Sequence, residues 1–217
     1  DAVIEATAAA FPSRLAFHTA TQAADFNLSA VPILLANGFD FSRYSFCARP
    51  ERQLGWVGRI APEKGLEDAA QAAAALGWPL RIWGLREDEA YAASVEASVP
   101  QGTLEWRGFL PTDQLQAELG HCAALLNTPK WNEAFGNVVV EAMACGVPVV
   151  AYRRGGPAEL IDEGTTGWLA PVDQPQSLTE LLPKAFALDR AACRTRAEQR
   201  FGLEAFASRL EAWLQQR

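Results

Sequence analysis

The sequence predicts an α/β fold in which helices cover both faces of a parallel β-sheet. From residue 52 onward, short apolar runs alternate with stretches of helical periodicity, which is the pattern of repeated strand–helix–strand units. The chain has 217 residues, of which 49% are hydrophobic and 21% are charged. A chain of this length can bury a core without disulfides or metals. It contains no run of about 18 apolar residues, the signal of a transmembrane helix.

The first 51 residues differ from the rest of the chain. Residues 2–10 have helical character, residues 15–18 and 33–36 resemble short strands, and residues 37–40 (NGFD) form a turn signal. Residues 43–53 are polar, as is typical of a linker. Because two strands and one helix cannot close a core, we expect this segment to be the end of a preceding domain.

Residues 52–200 contain the alternating pattern itself. Helices are predicted at residues 66–76 before Gly77, 88–97, 113–119 with Thr112 as N-cap, 137–144, and in a short segment opened by Pro157. The predicted strands are residues 54–57, 80–83, 103–106, 123–127, 147–151 and 167–169.

The chain from about residue 177 onward is predicted to be helical only. In its last helix, one face carries an apolar stripe at helical spacing, formed by Leu203, Phe206, Leu210, Trp213 and Leu214. This stripe either faces the core, which is the simpler interpretation, or docks onto another domain.

Charge and cysteine usage exclude several classes of protein. The net charge of −7 argues against nucleic acid or an anionic membrane as the main partner. The four cysteines lie far apart without a CxxC pair, and the chain has two histidines, His18 and His121, so no zinc site is expected. We expect free thiols and a reducing, cytoplasmic location. The start at Asp1 and the single methionine, Met143, lead us to expect a fragment of a longer protein.

The first candidate motif lies at residues 55–65, where a predicted strand ends and a helix begins. Ligands of open α/β sheets bind at the carboxyl ends of strands, and Gly58 would let a ligand approach the backbone. Arg59 and Lys64 form a suitable pair for a diphosphate. The loop is neither a Walker A loop nor a GxGxxG fingerprint, and a loop with two solvated cations is the plain alternative.

The second candidate motif lies at residues 129–148 and also joins a strand to a helix. Glu133 falls in its loop and Glu141 about 12 Å further along the helix, at 1.5 Å per residue. This separation exceeds the roughly 5–9.5 Å of glycosidase carboxylate pairs, and it suits two carboxylates that bind different parts of one extended ligand. The alternatives are a helix-dipole role for Glu133 and simple exposure for Glu141.

These motifs together resemble retaining family-4 glycosyltransferases. Glu133 and Glu141, with seven residues between them, match the EX7E motif of that family, and residues 133–151 are similar to its signature throughout. Residues 58–65 are similar to its diphosphate loop. Further similar blocks lie at residues 37–40, 107–110, 155–161 and 164–169. Within the family, residues 56–69 and 152–159 most resemble UDP-glucose:tetrahydrobiopterin glucosyltransferases.

The resemblance implies the GT-B fold, in which two Rossmann-like domains face each other across a cleft. Residues 1–40 would be the tail end of an N-terminal acceptor domain and residues 41–51 a linker. Residues 52–200 would form the nucleotide-sugar-binding domain, and residues 201–217 a helix that crosses back to the acceptor domain. The implied function is transfer of a hexose, with glucose from UDP-glucose as the expected donor, to an unknown acceptor held by the other domain. The chain alone is expected to bind the donor but not to transfer the sugar.

The resemblance also implies roles for individual residues. Arg59 and Lys64 would hold the diphosphate and stabilise its charge as it leaves, Glu133 would hold the donor sugar, and Glu141 would accept the ribose hydroxyls. Arg59, Lys64 and Glu133 are thus the expected catalytic residues. The further expected donor contacts are Gly58, Phe109, Leu110, Ala134, Phe135, Gly136 and Asn137, with the backbone of Phe109 and Leu110 meeting the base.

One departure from the family pattern and two rival functions remain. Lys130 follows Pro129 where the commoner family pattern has a serine, which leaves the sugar-facing details open. No Asp-x-Asp occurs, so neither a metal nor another cofactor is expected, and two cations would replace the metal. The rivals are a nucleotide-sugar 2-epimerase, which would need histidines that we expect at poor positions here, and a binding module without catalysis. Release of free UDP in the presence of an acceptor would separate transfer from binding.

Overall fold

The computed structural model describes residues 1–215, and its first elements form a small unit ahead of the main sheet. Helix α1 (Ala2–Ala10) is followed by strand β1 (Ala16–Phe17), helix α2 (Ala20–Ala24) and strand β2 (Ile33–Leu34). The two strands pair in parallel. Helix α2 is absent from the prediction because five residues are too short to show a helical period. Thr19 caps it, since its side chain accepts a hydrogen bond from the Gln22 amide at 3.1 Å.

The remaining chain forms a six-stranded parallel sheet, which confirms the predicted α/β class. Its helices, in chain order, are α3 (Leu66–Leu76), α4 (Glu89–Ala97), α5 (Thr112–Gly120), α6 (Asn137–Ala144), α7 (Gly155–Leu160), α8 (Pro175–Phe186), α9 (Arg190–Phe201) and α10 (Leu203–Leu214). Its strands are β3 (Leu54–Val57), β4 (Leu80–Trp83), β5 (Leu104–Gly108), β6 (Ala124–Asn127), β7 (Val149–Tyr152) and β8 (Gly167–Ala170).

Both faces of the sheet are covered by helices. Helices α3, α4 and α8 bury one face, and helices α5, α6, α7 and α9 bury the other. Neighbouring residues of one strand therefore belong to different cores: Leu125 packs with the second set of helices and Leu126 with the first. This is why the strands read as continuous apolar runs rather than as alternating ones.

The strand order places a crevice in the middle of the sheet. The order is β5-β4-β3-β6-β7-β8, so the chain winds outward in one direction from β3 and in the other direction from β6. The connections that follow these two neighbouring strands diverge to opposite sides. Such a switch point is where open α/β sheets bind their ligands, and both candidate motifs lie there.

Two local predictions about helix starts are wrong. Helix α5 begins at Thr112 with Pro111 at the N-cap position, and no side chain caps it. Helix α7 begins at Gly155, so Pro157 is its third residue rather than its first. The predicted ends of the helices at residues 66–76 and 137–144 agree with the structure.

The interpretation of the last helix as core-facing is also wrong. No residue of α10 is buried, and Leu203 and Leu214 at its ends are 52% and 48% exposed. The helix instead contacts the N-terminal segment, where the Trp213 indole N–H donates to the Ser13 carbonyl at 2.8 Å. The expected helix extended to residue 217, and residues 216–217 lie outside the described part of the chain.

The expected linker is fixed to the main domain by its backbone carbonyls. The Arg194 guanidinium donates to the carbonyls of Phe41 and Tyr44 at 2.8 and 2.7 Å, and Arg190 donates to that of Cys47 at 2.7 Å. Phe41 and Tyr44 are buried in the core that includes α6 and α9. The segment before β3 is therefore a structured strap.

Candidate functional site

The loops after β3 and β6 line a cavity of about 540 Å³ at the switch point of the sheet. Volumes of roughly 300–1,000 Å³ are typical of small-molecule sites. Predicted site residues line it from both loops: Gly58, Arg59 and Lys64 from the first, and Glu133, Ala134, Phe135, Gly136, Asn137 and Glu141 from the second and the following helix. The structure thus brings together residues that are about 75 positions apart in the chain.

Direct hydrogen bonds join the two loops. The Thr128 hydroxyl donates to the Gly65 carbonyl at 2.7 Å, and the Lys130 amide donates to the Glu63 carbonyl at 2.8 Å. Gly65 has a φ of 65°, and a Cβ at this position would lie 2.0 Å from the Thr128 carbonyl oxygen. Only glycine satisfies both the backbone conformation and the close approach. These contacts hold the two loops close together.

Both cations of the first loop are paired with carboxylates. Lys64 Nζ lies 3.1 Å from Glu133 Oε1, and their side chains are 16% and 22% exposed. Arg59 contacts Glu63 at 2.9 Å and Glu87 at 2.5 Å, and its side chain is 49% exposed. The hydrogen bond and charge of Glu87 raise the pKa of the Arg59 guanidinium. An anion that enters the cavity would therefore compete with these carboxylates for the two cations.

The second loop ends at the start of α6, which has no side-chain cap. Its first backbone amides have no partner within the helix and carry the positive end of its dipole. The loop is supported from behind by α7, where the Gly156 amide donates to the Glu133 carbonyl at 2.6 Å. A Cβ at Gly156 would lie 2.6 Å from the Phe135 Cα. The block at residues 155–161 therefore supports the site without lining it.

Glu141 lies in the second turn of α6 and faces the same cavity. Burial raises the pKa of its carboxyl above the ordinary value of 4.5. Its charge is also one of the causes, after burial, that raise the pKa of Tyr44 to about 12. A partly buried carboxylate of this kind is stabilised by a ligand that donates hydrogen bonds to it.

Phe109 and Leu110 lie outside the main cavity and line an adjacent apolar slot of about 190 Å³. Val57, Gly58 and Arg59 line both spaces, so the slot adjoins the cavity at the first loop. Phe109 is 66% exposed. The other slot residues are Trp83, Gly84, Leu85 and Leu115. A planar, weakly polar group fits such a slot.

The N-terminal segment contributes to the cavity as well, through His18 and Asn37. The interpretation that the histidines lie at poor positions is therefore wrong for His18, whose ring lies 6.0 Å from that of Phe135. The Asn37 amide donates to the Asn137 side-chain oxygen at 2.8 Å, and the Thr19 hydroxyl donates to the Ala134 carbonyl at 2.7 Å. Because these contacts span about 100 residues, no local sequence signal could have predicted them.

Sequence reasoning also missed Trp131 as a cavity residue. Its side chain is 46% exposed, and Lys64 Nζ lies 5.2 Å from the centre of its ring. Lys64 is therefore held between an aromatic face and the Glu133 carboxylate. The remaining cavity residues that the prediction did not include are Trp56, Val57, Asn127, Pro129 and Val138.

Residues 1–215 contain no group of three or more His, Cys, Asp or Glu side chains placed to hold a metal ion. Over the same residues, every helix is too short or too polar to cross a membrane. The cysteines are free, and Cys122, Cys145 and Cys193 are buried. Burial raises the pKa of each of these three thiols to about 12, so they are unreactive at neutral pH.

Comparison with known proteins relates this site to sugar-transferring enzymes. The chain is 36% identical over 137 residues to a 2-deoxystreptamine glucosyltransferase of Streptomyces kanamyceticus, covering 60% of this chain and 35% of that protein. It is 35% identical over 174 residues to a D-inositol 3-phosphate glycosyltransferase of Salinispora tropica, covering 70% of this chain and 35% of that protein. The chain spans about a third of the length of these relatives.

Solved structures of the same fold include HepE from Anabaena in complex with UDP-glucose. That structure matches with a TM-score of 0.82 at 23% identity, covering 100% of this chain and 67% of HepE. AviGT4, a glycosyltransferase of avilamycin A biosynthesis, matches with a TM-score of 0.79 at 22% identity, covering 91% of this chain and 62% of that one. The fold is that of the GT-B glycosyltransferases. The family model described as glycosyl transferases group 1 matches residues 47–200, which is most of the chain. The chain therefore belongs to the group 1 glycosyl transferase family.

Proposed function

We propose that this chain is the donor-binding part of a retaining glycosyltransferase that transfers glucose from UDP-glucose to an acceptor. The observation that carries the proposal is the grouping of two cations and two carboxylates around one cavity at the switch point of the sheet. The names of the relatives and the UDP-glucose complex of HepE support a nucleotide-sugar donor. In this proposal residues 1–40 end an acceptor domain, residues 41–51 connect it, residues 52–200 bind the donor, and the helix beginning near residue 201 returns to the acceptor domain.

Binding of the donor exchanges the ion pairs of the free site. The diphosphate takes the place of Glu133 at Lys64, and it draws Arg59 away from Glu63 and Glu87. The released Glu133 carboxylate then accepts hydrogen bonds from the sugar hydroxyls, beside the backbone of residues 134–136. Charge-assisted contacts of this type contribute about 1.5–3 kcal/mol each. Diphosphate and sugar are therefore recognised in one coupled step.

The proposal also assigns contacts to the ribose and the base of the donor. Glu141 accepts the ribose hydroxyls, and the uracil ring enters the apolar slot beside Phe109 and Leu110. The start of α6 at Asn137 directs amide dipoles toward the ligand. The negative charge that develops on the departing UDP is stabilised by Lys64 and Arg59. No metal ion or other cofactor has a part in this proposal.

The proposal also covers the cellular location of the protein and the side of the cavity on which the acceptor binds. We propose that the protein acts in the cytoplasm, where its free thiols stay reduced. The acceptor is bound on the side of His18 and Asn37, toward the preceding domain. A further part of the proposal is that the protein is related to the UDP-glucose:tetrahydrobiopterin glucosyltransferases, which the resemblance of residues 56–69 and 152–159 supports.

Calorimetric titration with a panel of nucleotide sugars tests the donor assignment. We expect UDP-glucose to bind more tightly than UDP. Glu133→Ala should remove that difference, while UDP affinity stays equal or rises slightly because Lys64 is released from its ion pair. Glu141→Ala should instead weaken both ligands to the same extent. If Glu133→Ala abolished UDP binding while Glu141→Ala had no effect, the two roles would be reversed.

One observation favours a second candidate, a nucleotide-sugar 2-epimerase. His18 lines the cavity, with its Nδ1 3.4 Å from the Leu35 carbonyl oxygen, and a histidine near the sugar is a group that can move protons. An epimerase would convert UDP-N-acetylglucosamine without any acceptor. Transfer would require the acceptor and would release UDP, so product analysis with and without acceptor separates the two.

A further inference from the structure

Lys130 occupies the position at which this chain departs from the commoner family pattern, and its ammonium does not contact the cavity. The Nζ atom donates a hydrogen bond to Asp68, lies 3.3 Å from Asp173 Oδ1, and lies 3.8 Å from Glu67 Oε1. Burial lowers the pKa of Lys130, but the neighbouring carboxylates of Asp68, Glu67 and Asp173 together outweigh this effect, so the pKa is raised overall. Lys130 is therefore a fixed cation behind the loop of residues 128–133, which we call the sugar loop because it carries Glu133.

Asp68 connects Lys130 to two other elements. It lies in the first turn of α3, the helix that follows the candidate diphosphate loop, and it is 5% exposed. The hydroxyl of the fully buried Tyr152, at the end of β7, donates to the same carboxylate at 2.6 Å. One buried carboxylate thus ties the sugar loop to α3 and to β7. A serine side chain at position 130 would be too short to reach it.

A second cation, Arg154, holds the same loop. Arg154 donates to the Pro129 carbonyl at 2.9 Å and forms two hydrogen bonds with Asp173, at 3.1 and 2.5 Å. Asp173 has a φ of 58°, the left-handed conformation, and its carboxylate also meets Lys130. Pro129 and Lys130 are therefore held in place four and three residues before Glu133.

We propose that Lys130 is a positioning residue for sugar recognition. Its ammonium fixes the loop of residues 128–133 on α3, and so keeps Glu133 at the distance from Lys64 at which the two can exchange partners. This inference rests on the proposed function, because it deepens the role given there to Glu133. Binding groups require placement within about 0.5 Å, which depends on a rigid supporting shell. The alternative is that Lys130 only neutralises the buried Asp68.

A pair of variants separates these two roles. Lys130→Met alone leaves Asp68 buried without its cation, which should lower the melting temperature. The double variant Lys130→Met with Asp68→Asn removes that charge and retains the acceptor for Tyr152. Its melting temperature should recover toward that of the wild type. Lys184→Met, which removes a lysine packed on Trp168 away from the site, is the matched control.

Two readouts are measured on all four proteins. The first is the ratio of the UDP and UDP-glucose dissociation constants, which should fall to about one in the double variant while UDP affinity itself changes less than about threefold. The second is hydrogen exchange of the backbone amides of residues 130–134, which should speed up by about tenfold or more in the double variant without any ligand. The control should match the wild type in both.

The possible outcomes are distinct. Recovery of both the melting temperature and the affinity ratio in the double variant would show that Lys130 only neutralises Asp68, and would overturn the proposal. Unchanged amide exchange would overturn it as well, whether or not a ligand binds. If the wild type bound neither UDP nor UDP-glucose, the proposed function would fail, while the exchange measurement would still decide whether Lys130 fixes the loop.

Discussion

Replacing Lys64 by methionine removes the least exposed cation of the site while keeping the length of the side chain. Lys64 is 16% exposed, whereas Arg59 is 49% exposed and is shared between two carboxylates. We therefore expect Lys64→Met to weaken UDP binding more than Arg59→Met. The contact with the diphosphate that is lost contributes about 1.5–3 kcal/mol, which corresponds to a loss of roughly 10- to 150-fold in affinity.

The partner of Lys64 increases this loss. In the single variant the Glu133 carboxylate loses the cation 3.1 Å away and faces the incoming diphosphate alone. At a separation of about 8 Å and an effective dielectric constant of about 20, two unit charges repel by about 2 kcal/mol. The double variant Lys64→Met with Glu133→Gln removes that repulsion. We therefore expect UDP affinity to decrease in the order wild type, double variant, Lys64→Met.

The assay is calorimetric titration with UDP at fixed ionic strength, because the contact between charges is screened by salt. Circular dichroism of each variant confirms that the fold is retained. The assignment of Lys64 to the diphosphate would be refuted if Lys64→Met bound UDP as tightly as the wild type. If the double variant bound UDP more weakly than Lys64→Met, the argument that Glu133 repels the diphosphate would be refuted.

Three further predictions concern the same site. Glu87→Gln should raise UDP affinity by a small factor, because it frees Arg59 from one exposed ion pair; titration with UDP checks this, and reduced affinity would contradict it. In the wild type, UDP-glucose affinity should rise as pH increases above 4.5 through the raised pKa of Glu141, because the bound form is the carboxylate, and Glu141→Gln should abolish this rise. The raised pKa also means that the folded protein binds the Glu141 proton more tightly than the unfolded chain does. The free energy of unfolding of the wild type, relative to that of Glu141→Gln, should therefore fall as pH rises above 4.5. Denaturant unfolding at a series of pH values measures this. Gly65→Ala should be strongly destabilising and should abolish UDP binding. Gly77 has a nearly equal φ of 68° but no atom within 4 Å of the added Cβ, so Gly77→Ala should lower the free energy of unfolding, measured by thermal unfolding, by only about 1–2 kcal/mol. Equal effects of the two variants would contradict the argument from the close approach of Gly65 to Thr128.

Local signals predicted the secondary structure well where an element is long enough to show its period. The alanine-rich run before Gly77 and the run of residues 137–144 have the predicted ends in the structure, since a period of 3.6 residues and a left-handed glycine are properties of the chain itself. Helix α2 was missed because five residues carry too little periodicity. The prediction of Thr112 as N-cap was wrong because the helix begins one residue earlier, with Pro111 at the N-cap position.

The sequence predicted which residues line the candidate site, but not which of them form ion pairs with each other. Motif spacing identified Lys64 and Glu133 as site residues, and the structure places both on one cavity. That they form an ion pair with each other in the free state follows only from the meeting of two loops about 70 residues apart. The inclusion of His18 depends in the same way on the contact between the N-terminal segment and the loop at Ala134.

The sequence by itself determined the fold class, the family resemblance and the residue types of the site, because each of these is written in short-range patterns of polarity and spacing. Tertiary structure alone decided which carboxylate neutralises which cation, and that Lys130 turns away from the cavity toward Asp68. It also decided that α10 rests on the N-terminal segment rather than in the core. The physical reason is that these contacts form between elements distant in the chain, and their partners are selected by the strand order and packing of the whole sheet, which no local window of sequence contains.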